Sequence, residues 1–230
     1  MPDKPNERKR ALRPRDAATL VLTRRLRGKI CVLMGQRHSG HVFMPDRYVF
    51  PGGRVDRADH HARPATPLCD VVARHLQKSA TPGKAQALAL AAVRETFEET
   101  GLILGKPLNG ASPRTSGPWR AFYDAGYAPA LDGLDYICRA ITPPYRPRRF
   151  NARFFAADGD RVEGRIDGSG ELLHLDWIPV KKAMDLPLPN ITKYVLENLE
   201  ALTAARESGK RRGKVPFYRY EYGKHVMSHE

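Results

Sequence analysis

The chain has 230 residues, 41% hydrophobic and 28% charged, enough to bury a sizeable core without disulfides or a structural metal. Lys and Arg outnumber Asp and Glu by 39 to 25, a formal charge of +14 that points to acidic partners: nucleic acid, anionic lipid or a phosphorylated small molecule. Three scattered cysteines, Cys31, Cys69 and Cys138, argue against a disulfide framework or a CxxC zinc site, and no apolar run is long enough to span a membrane.

Residues 1–15 are basic and lack apolar periodicity, so a disordered tail is expected there. Apolar runs at 18–22 and 30–34, separated by TRRLRGK with Gly28, predict two strands joined by a turn. A third short strand at 48–50 is stopped by Pro51 and followed by Gly52 and Gly53, where the backbone can adopt angles closed to other residues. The stretch 57–81 is polar and irregular, apart from helical spacing at Leu68, Val71, Val72 and Leu76, and reads as an insertion. Next comes the clearest element: Thr81 can cap a helix, Pro82 suits its first turn, and no breaker follows until Gly101, which predicts a helix over 82–100.

A loop dense in Gly, Ser and Pro starts at Asn109, and Trp119, Phe122 and Tyr123 read as a short packed helix or turn. Strands are expected at 134–141 and 153–156, flanking TPPYRPRRFNA, and again at 172–178. Ile191, Val195, Leu196, Leu199 and Leu202 gather on one face of a helix over 190–207. GKRRGK at 209–214 then reads as the start of a basic C-terminal tail over 209–230. The order of elements favours an α+β domain over 16–208, with a mixed sheet sandwiched between helices.

The informative stretch is RETFEETG. On a helix Glu95, Glu98 and Glu99 stand at i, i+3 and i+4, so three carboxylates share a face, with Arg94 adjoining. On a solvated face such a cluster would need no explanation, because glutamate is a good helix former. Here the rest of the helix is apolar and rich in alanine, and buried carboxylates need compensation. Carboxylate oxygens are the ligands that hard divalent ions prefer, and FPGG upstream offers backbone groups to the same ion and to a diphosphate. Cys31 and Cys138 lie in apolar runs and read as inert core residues, and the histidines show no metal-ligand spacing.

FPGG followed by a helix ending Arg94-Glu95-Thr96-Phe97-Glu98-Glu99-Thr100-Gly101-Leu102 resembles the Nudix hydrolase family, with Thr96 at a place that is usually aliphatic. The resemblance implies a Nudix-like α/β/α sandwich that holds magnesium or manganese and hydrolyses a diphosphate linking a nucleoside to another moiety. It implies that Glu95, Glu98 and Glu99 ligate the metal or activate water through it, that Gly53 offers its carbonyl, and that Arg94 positions the carboxylates. Glu171, before the last strand, is the expected further ligand, with Glu163 second. Arg37, Gly52, Gly53, Arg54 and Arg148 form the expected substrate-binding set, and Tyr145 and Phe150 could stack on a base.

The family pattern places a glycine fourteen residues before its arginine and a glutamate eight before it, which here are Ala80 and Gln86. The glutamate therefore looks lost and the metal shell altered. The insertion, VFPGGRVDRAD and TPPYRPRRFNARFF resemble the subgroup similar to the mammalian peroxisomal coenzyme A diphosphatase, which makes coenzyme A or an acyl-coenzyme A the favoured substrate. A cytoplasmic protein with a phosphorylated small-molecule substrate and no membrane contact is expected, and a homodimer is left open. The competing reading is a nucleic-acid-binding protein that uses the basic ends and the arginine-rich loop on a catalytically weak scaffold.

Overall fold

The computed structural model describes residues 12–40, 44–113, 115–209 and 213–230. In chain order the elements are β1 (Arg15–Leu26), β2 (Lys29–Arg37), β3 (Tyr48–Val49), β4 (Gly52–Arg54), α1 (Asp70–Gln77), α2 (Pro82–Thr100), β5 (Gly105–Pro107), α3 (Arg120–Asp124) and β6 (Tyr127–Pro129). They continue with β7 (Asp135–Ile141), β8 (Phe150–Asp158), β9 (Leu172–Pro179), α4 (Val180–Ala183), α5 (Asn190–Glu197), α6 (Leu199–Glu207), β10 (Pro216–Glu221) and β11 (Lys224–His229).

The main sheet runs β11-β10-β7-β8-β1-β2-β3, with β4 also on β1 and β9 also on β2. β1 lies parallel to β8 and β10 parallel to β7, while the other neighbours are antiparallel, which makes the sheet mixed. The important feature is a split. β1 pairs with β2 only through Thr23–Leu26, and farther back its Ala17, Ala18 and Thr19 pair with Arg54, Gly53 and Gly52 of β4. That register carries the two glycines into the gap between β1 and β2.

Alternation along β1 assigns its residues to two cores. Ala18, Leu20 and Leu22 face α2, whose Leu88, Ala92 and Val93 are fully buried against them. Val21 faces the opposite side, with Val32, Phe154 and the α5–α6 residues Val195, Leu196 and Leu199. The α+β sandwich expected from the sequence is the observed architecture. Helix α2 has the expected ends: Thr81 Oγ1 accepts from Lys84 N at 3.4 Å, and Gly101 closes the helix at φ 73°, a backbone angle that favours glycine. Cys31 and Cys138 are buried. Among the described residues no helix is long and apolar enough to cross a membrane.

Three expectations need revision. The helix over 190–207 is two helices broken at Asn198, whose side-chain amide donates to Tyr194 O at 2.8 Å. The basic C-terminal tail is instead largely sheet. Tyr222 and Gly223 have φ of 48° and 80°, the two-residue turn that suits a hairpin, and β10 joins β7 while Glu230 binds Tyr136 and Arg139. Aromatic alternation in PFYRYE outweighs the charge that precedes it, of which residues 210–212 lie outside the described part, as do 1–11 of the expected N-terminal tail. Arg15, given to that tail, already pairs with Phe150 in the sheet. The insertion holds in α1 the helix that its spacing at Leu68, Val71, Val72 and Leu76 predicts, and more structure besides. It opens with a turn over 57–60 capped by Asp56, ties Ala65 N to Pro129 O and Thr66 Oγ1 to Asp132, and packs α1 beside α2.

Candidate active site

The last turns of α2 meet β4 at the split. Gly52 N donates to Glu99 Oε2 at 2.8 Å, and any Cβ on Gly53 would collide with the Glu95 carboxylate. Glycine is required at both places for different reasons: at Gly53 a side chain would displace the carboxylate, and at Gly52 it would run into Ala18 O and Thr19 of β1. Thr96, in a place that is usually aliphatic, is buried without strain: its hydroxyl donates to Ala92 O at 2.8 Å.

Arg94 is 4% exposed and lies at the centre of the cluster. Its Nη1 donates to Glu95 Oε1 at 2.9 Å and to Glu98 Oε2 at 2.8 Å, and its Nη2 also reaches Arg54 O at 3.0 Å. The other edge of the guanidinium grips Asp59 through Nε at 2.8 Å and Nη2 at 3.0 Å, a paired geometry that fixes the plane of the group. Burial works against the arginine's charge, but the bond to Asp59 and the fields of Glu95, Asp59 and Glu98 outweigh it and hold its pKa above the usual range.

Asp59 was not singled out from the sequence. It is fully buried and accepts two further bonds, from Trp119 Nε1 at 2.9 Å and Asp56 N at 2.8 Å. The signal was present. The family pattern separates its glycine from its glutamate by six residues, and Gly53 and Asp59 have that separation. The acid is therefore not lost at Gln86. Aspartate supplies it from the opening turn of the insertion, and the tertiary fold returns it to Arg94, while Gln86 lies half-buried near the start of α2.

Burial pushes the Glu95 carboxyl up to about 7; Arg94 opposes this, and Glu98 and Glu171 add to it. Glu99 is pushed up to about 8, chiefly by burial, with the Gly52 N–H opposing and Glu95 and Glu171 adding repulsion. Glu98 is also raised, first by burial. Glu171, exposed at the start of β9, thus lies close enough to act on both Glu95 and Glu99. The segment that delivers it crosses the end of α2, where Asp167 N donates to Thr100 O at 2.9 Å. Glu163, the second candidate, pairs through its backbone with Ile103 instead. Arg37 ends β2 and draws Glu99 down, whereas the Arg54 and Arg148 side chains are exposed.

Among the described residues no three His, Cys, Asp or Glu side chains converge as a ready metal cage, since Arg94 stands between Glu95 and Glu98. The donor set nonetheless fits a hard divalent ion. It is all oxygen, and burial, with repulsion among the carboxyls adding to it, pushes two of them up to about 7 and about 8. A cavity of about 590 Å³ opens elsewhere, lined by Asp135, Tyr136, Leu199 and several arginines. Among the described residues its arginines all have partners: Arg24 bonds Gly159 O, Arg25 Glu207, Arg161 Asp132 and Arg206 Thr23.

No protein-family model matches the chain. An acyl-coenzyme A diphosphatase of Gallus gallus is 36% identical over 113 residues, 38% of this chain and 30% of that protein. A Caenorhabditis elegans protein described as a nudix hydrolase is 29% identical over 184 residues, 74% of this chain and 53% of that protein. The chain thus spans about half the length, or less, of these curated relatives. The crystal structure of a Nudix hydrolase from Alicyclobacillus acidocaldarius superposes with a TM-score of 0.66 at 30% identity, covering 85% of this chain and 96% of that one. With that likeness over nearly the whole of a solved relative, and with glycine loop and carboxylate helix joined as described, the chain belongs to the Nudix hydrolase family.

Proposed function

We propose that the protein is a divalent-metal-dependent hydrolase of a diphosphate that links a nucleoside to another group, with coenzyme A or an acyl-coenzyme A as the favoured substrate. The observation that carries this reading is the joining of Gly52 and Gly53 to Glu99 and Glu95 around a buried arginine. Glu95, Glu98, Glu99 and Glu171, with the Gly53 carbonyl, would hold magnesium or manganese. The ion, when bound, supplies charge neutralisation at the phosphate oxygens and a more acidic water. Arg94 fixes the Glu95 and Glu98 carboxylates, and Asp59 fixes Arg94, so the acids need not reorganise as charge develops. A carboxylate of this set left unligated by the ion would take up the proton released when water attacks phosphorus. Arg37 and Arg54, one beside Glu99 and one following Gly53, are placed to pair with phosphate oxygens.

The coenzyme A preference draws on the likeness to the acyl-coenzyme A diphosphatase of Gallus gallus and on the insertion between glycine loop and helix. The nucleic-acid reading rests on basic stretches whose residues 1–11 and 210–212 lie outside the described part. The test is a panel of diphosphate compounds incubated with magnesium or manganese, with the phosphate products separated by chromatography. Coenzyme A is expected to yield adenosine 3′,5′-bisphosphate and phosphopantetheine. Absence of any metal-dependent cleavage across the panel would overturn the proposal.

A further inference from the structure

A second chemical feature lies across the sheet from the carboxylates. The segment 142–149 contains no acid, and in strands β10 and β11 the only acid is Glu221, held by Arg219 at 2.9 Å. Of the loop's arginines, Arg149 is committed to Thr142 O and Leu12 O. Arg146 lies over the Tyr145 ring at 5.8 Å, and Arg148 is exposed without an ion-pair or hydrogen-bond partner among the described residues. Tyr145, itself 61% exposed, meets Tyr220 edge-on at 5.2 Å. Tyr220 and Tyr218 both pack on His225, the latter stacked at 5.0 Å, and Asn190 bonds the Tyr218 hydroxyl. Four aromatic rings and two uncompensated guanidinium groups therefore share one corner.

The sheet register places that corner in line with the glycine loop. Arg54 pairs with Ala17, Ala17 with Ala152, Ala152 with Ala140, and Ala140 with Tyr218. Partners on one rung share a face, so Arg54 and Tyr218 stand on the same side of the sheet, with only alanine on the rung between them. Four inter-strand steps of about 4.8 Å separate their backbones by about 19 Å along the sheet.

We infer that loop 142–149 and the β10–β11 hairpin form a subsite for a phosphorylated aromatic base, holding the end of the substrate remote from the bond that breaks. Rings offer faces on which a base stacks whatever its hydrogen-bonding edge. Guanidinium groups supply paired donors for a terminal phosphate, a task that lysine performs less well. The inference rests on the diphosphate hydrolase reading for its link to turnover, but the subsite is measurable without turnover.

Adenosine 3′,5′-bisphosphate is the probe, titrated calorimetrically into the full chain. Binding is expected, weakened at least tenfold by the double substitution Arg146→Ala and Arg148→Ala and by Tyr145→Ala, and unchanged by Arg120→Ala, which removes an exposed arginine elsewhere. In turnover, the arginine pair is expected to raise KM for coenzyme A about tenfold with kcat within about twofold, and to narrow its advantage over 3′-dephospho-coenzyme A. Absence of bisphosphate binding, or equal affinity in parent and variants, would overturn the subsite even if coenzyme A is cleaved. Tighter binding of a twelve-nucleotide single strand than of the bisphosphate would also overturn it, assigning the corner to nucleic acid. If the bisphosphate binds as described and no diphosphate is cleaved, the subsite stands and the hydrolase reading fails.

Discussion

Two arginines are buried among the described residues, and their surroundings differ in kind. Arg94 is gripped by Asp59 on one edge and shared by Glu95 and Glu98 on the other, and its charge is reinforced. Arg153, in β8, is fully buried without a carboxylate gripping it on two atoms: its Nη1 reaches Asn151 O at 3.1 Å and Asp16 at 3.4 Å, its Nη2 Ser79 Oγ at 3.2 Å, and Nε has no partner among the described residues. Burial, with Arg139 adding to it, holds the Arg153 pKa below that of an ordinary arginine. Burial alone therefore does not mark a functional cation. Around Arg94 acids outnumber bases, leaving negative charge for a cation to answer, whereas Arg153 and its neighbours brace the start of α2 against the sheet.

The comparison breaks most visibly at Asp59. Asp59→Ala leaves Arg94 buried and unpaired on one edge, a loss of about 3–5 kcal/mol that should lower the melting temperature by roughly 10 °C and abolish turnover. Arg153→Met, of similar bulk, is expected to leave the melting temperature unchanged or raised, since a badly paired buried charge is costly to keep. Calorimetric melts of the two variants measure the contrast, and equal losses would erase it.

Glu98→Gln should lower turnover at limiting magnesium by at least tenfold, about 1.4 kcal/mol, with melting within a few degrees of the parent. Kinetics at the parental rate would remove Glu98 from the proposed site. The pH response sharpens the same point. Glu95 and Glu99 ordinarily titrate at 4.5 and here do so at about 7 and 8. Below pH 4.5 they are neutral in folded and unfolded chains alike. Above it the unfolded chain ionises first, so their contribution to stability is lost as pH rises through 7 and 8. With a chelator present, the melting temperature should fall between pH 6 and 8.5. Added magnesium should raise it more at 8.5 than at 6, because ligation needs the ionised carboxylates. A metal-induced shift that does not grow with pH would contradict this.

The smallest effect is expected at Gln86, nine residues or about 13.5 Å below Glu95 along the helix axis. Gln86→Glu should change magnesium affinity by less than about threefold, under ~0.7 kcal/mol, as read by isothermal titration. A tenfold gain would mean that Gln86, and not Asp59, stands where the earlier acid belongs.

Much of the site was legible because its parts are local. Helix α2 announces itself by its cap, its periodicity and Gly101, and the spacing of Glu95, Glu98 and Glu99 places them on one face whatever surrounds the helix. Glu171 was reachable as the acid before β9. Asp59 was missed because it lies in the opening turn of the insertion, 35 positions before Arg94, and a search at fixed spacing from the arginine lands on Gln86. The C-terminal hairpin was hidden by the charge that precedes it, although Tyr222 and Gly223 mark its turn.

The sequence by itself determined the helix, its carboxylate face, the glycine loop and the alternation that builds the strands, because each depends on residues a few positions apart. Only the tertiary structure decided which buried charges compensate one another and how the sheet is ordered. Asp59 reaches Arg94 across 35 positions, Glu230 reaches Arg139 across 91, and a parallel pairing sets β10 beside β7. Such choices depend on packing and loop closure across the whole chain, where short-range spacing carries no information.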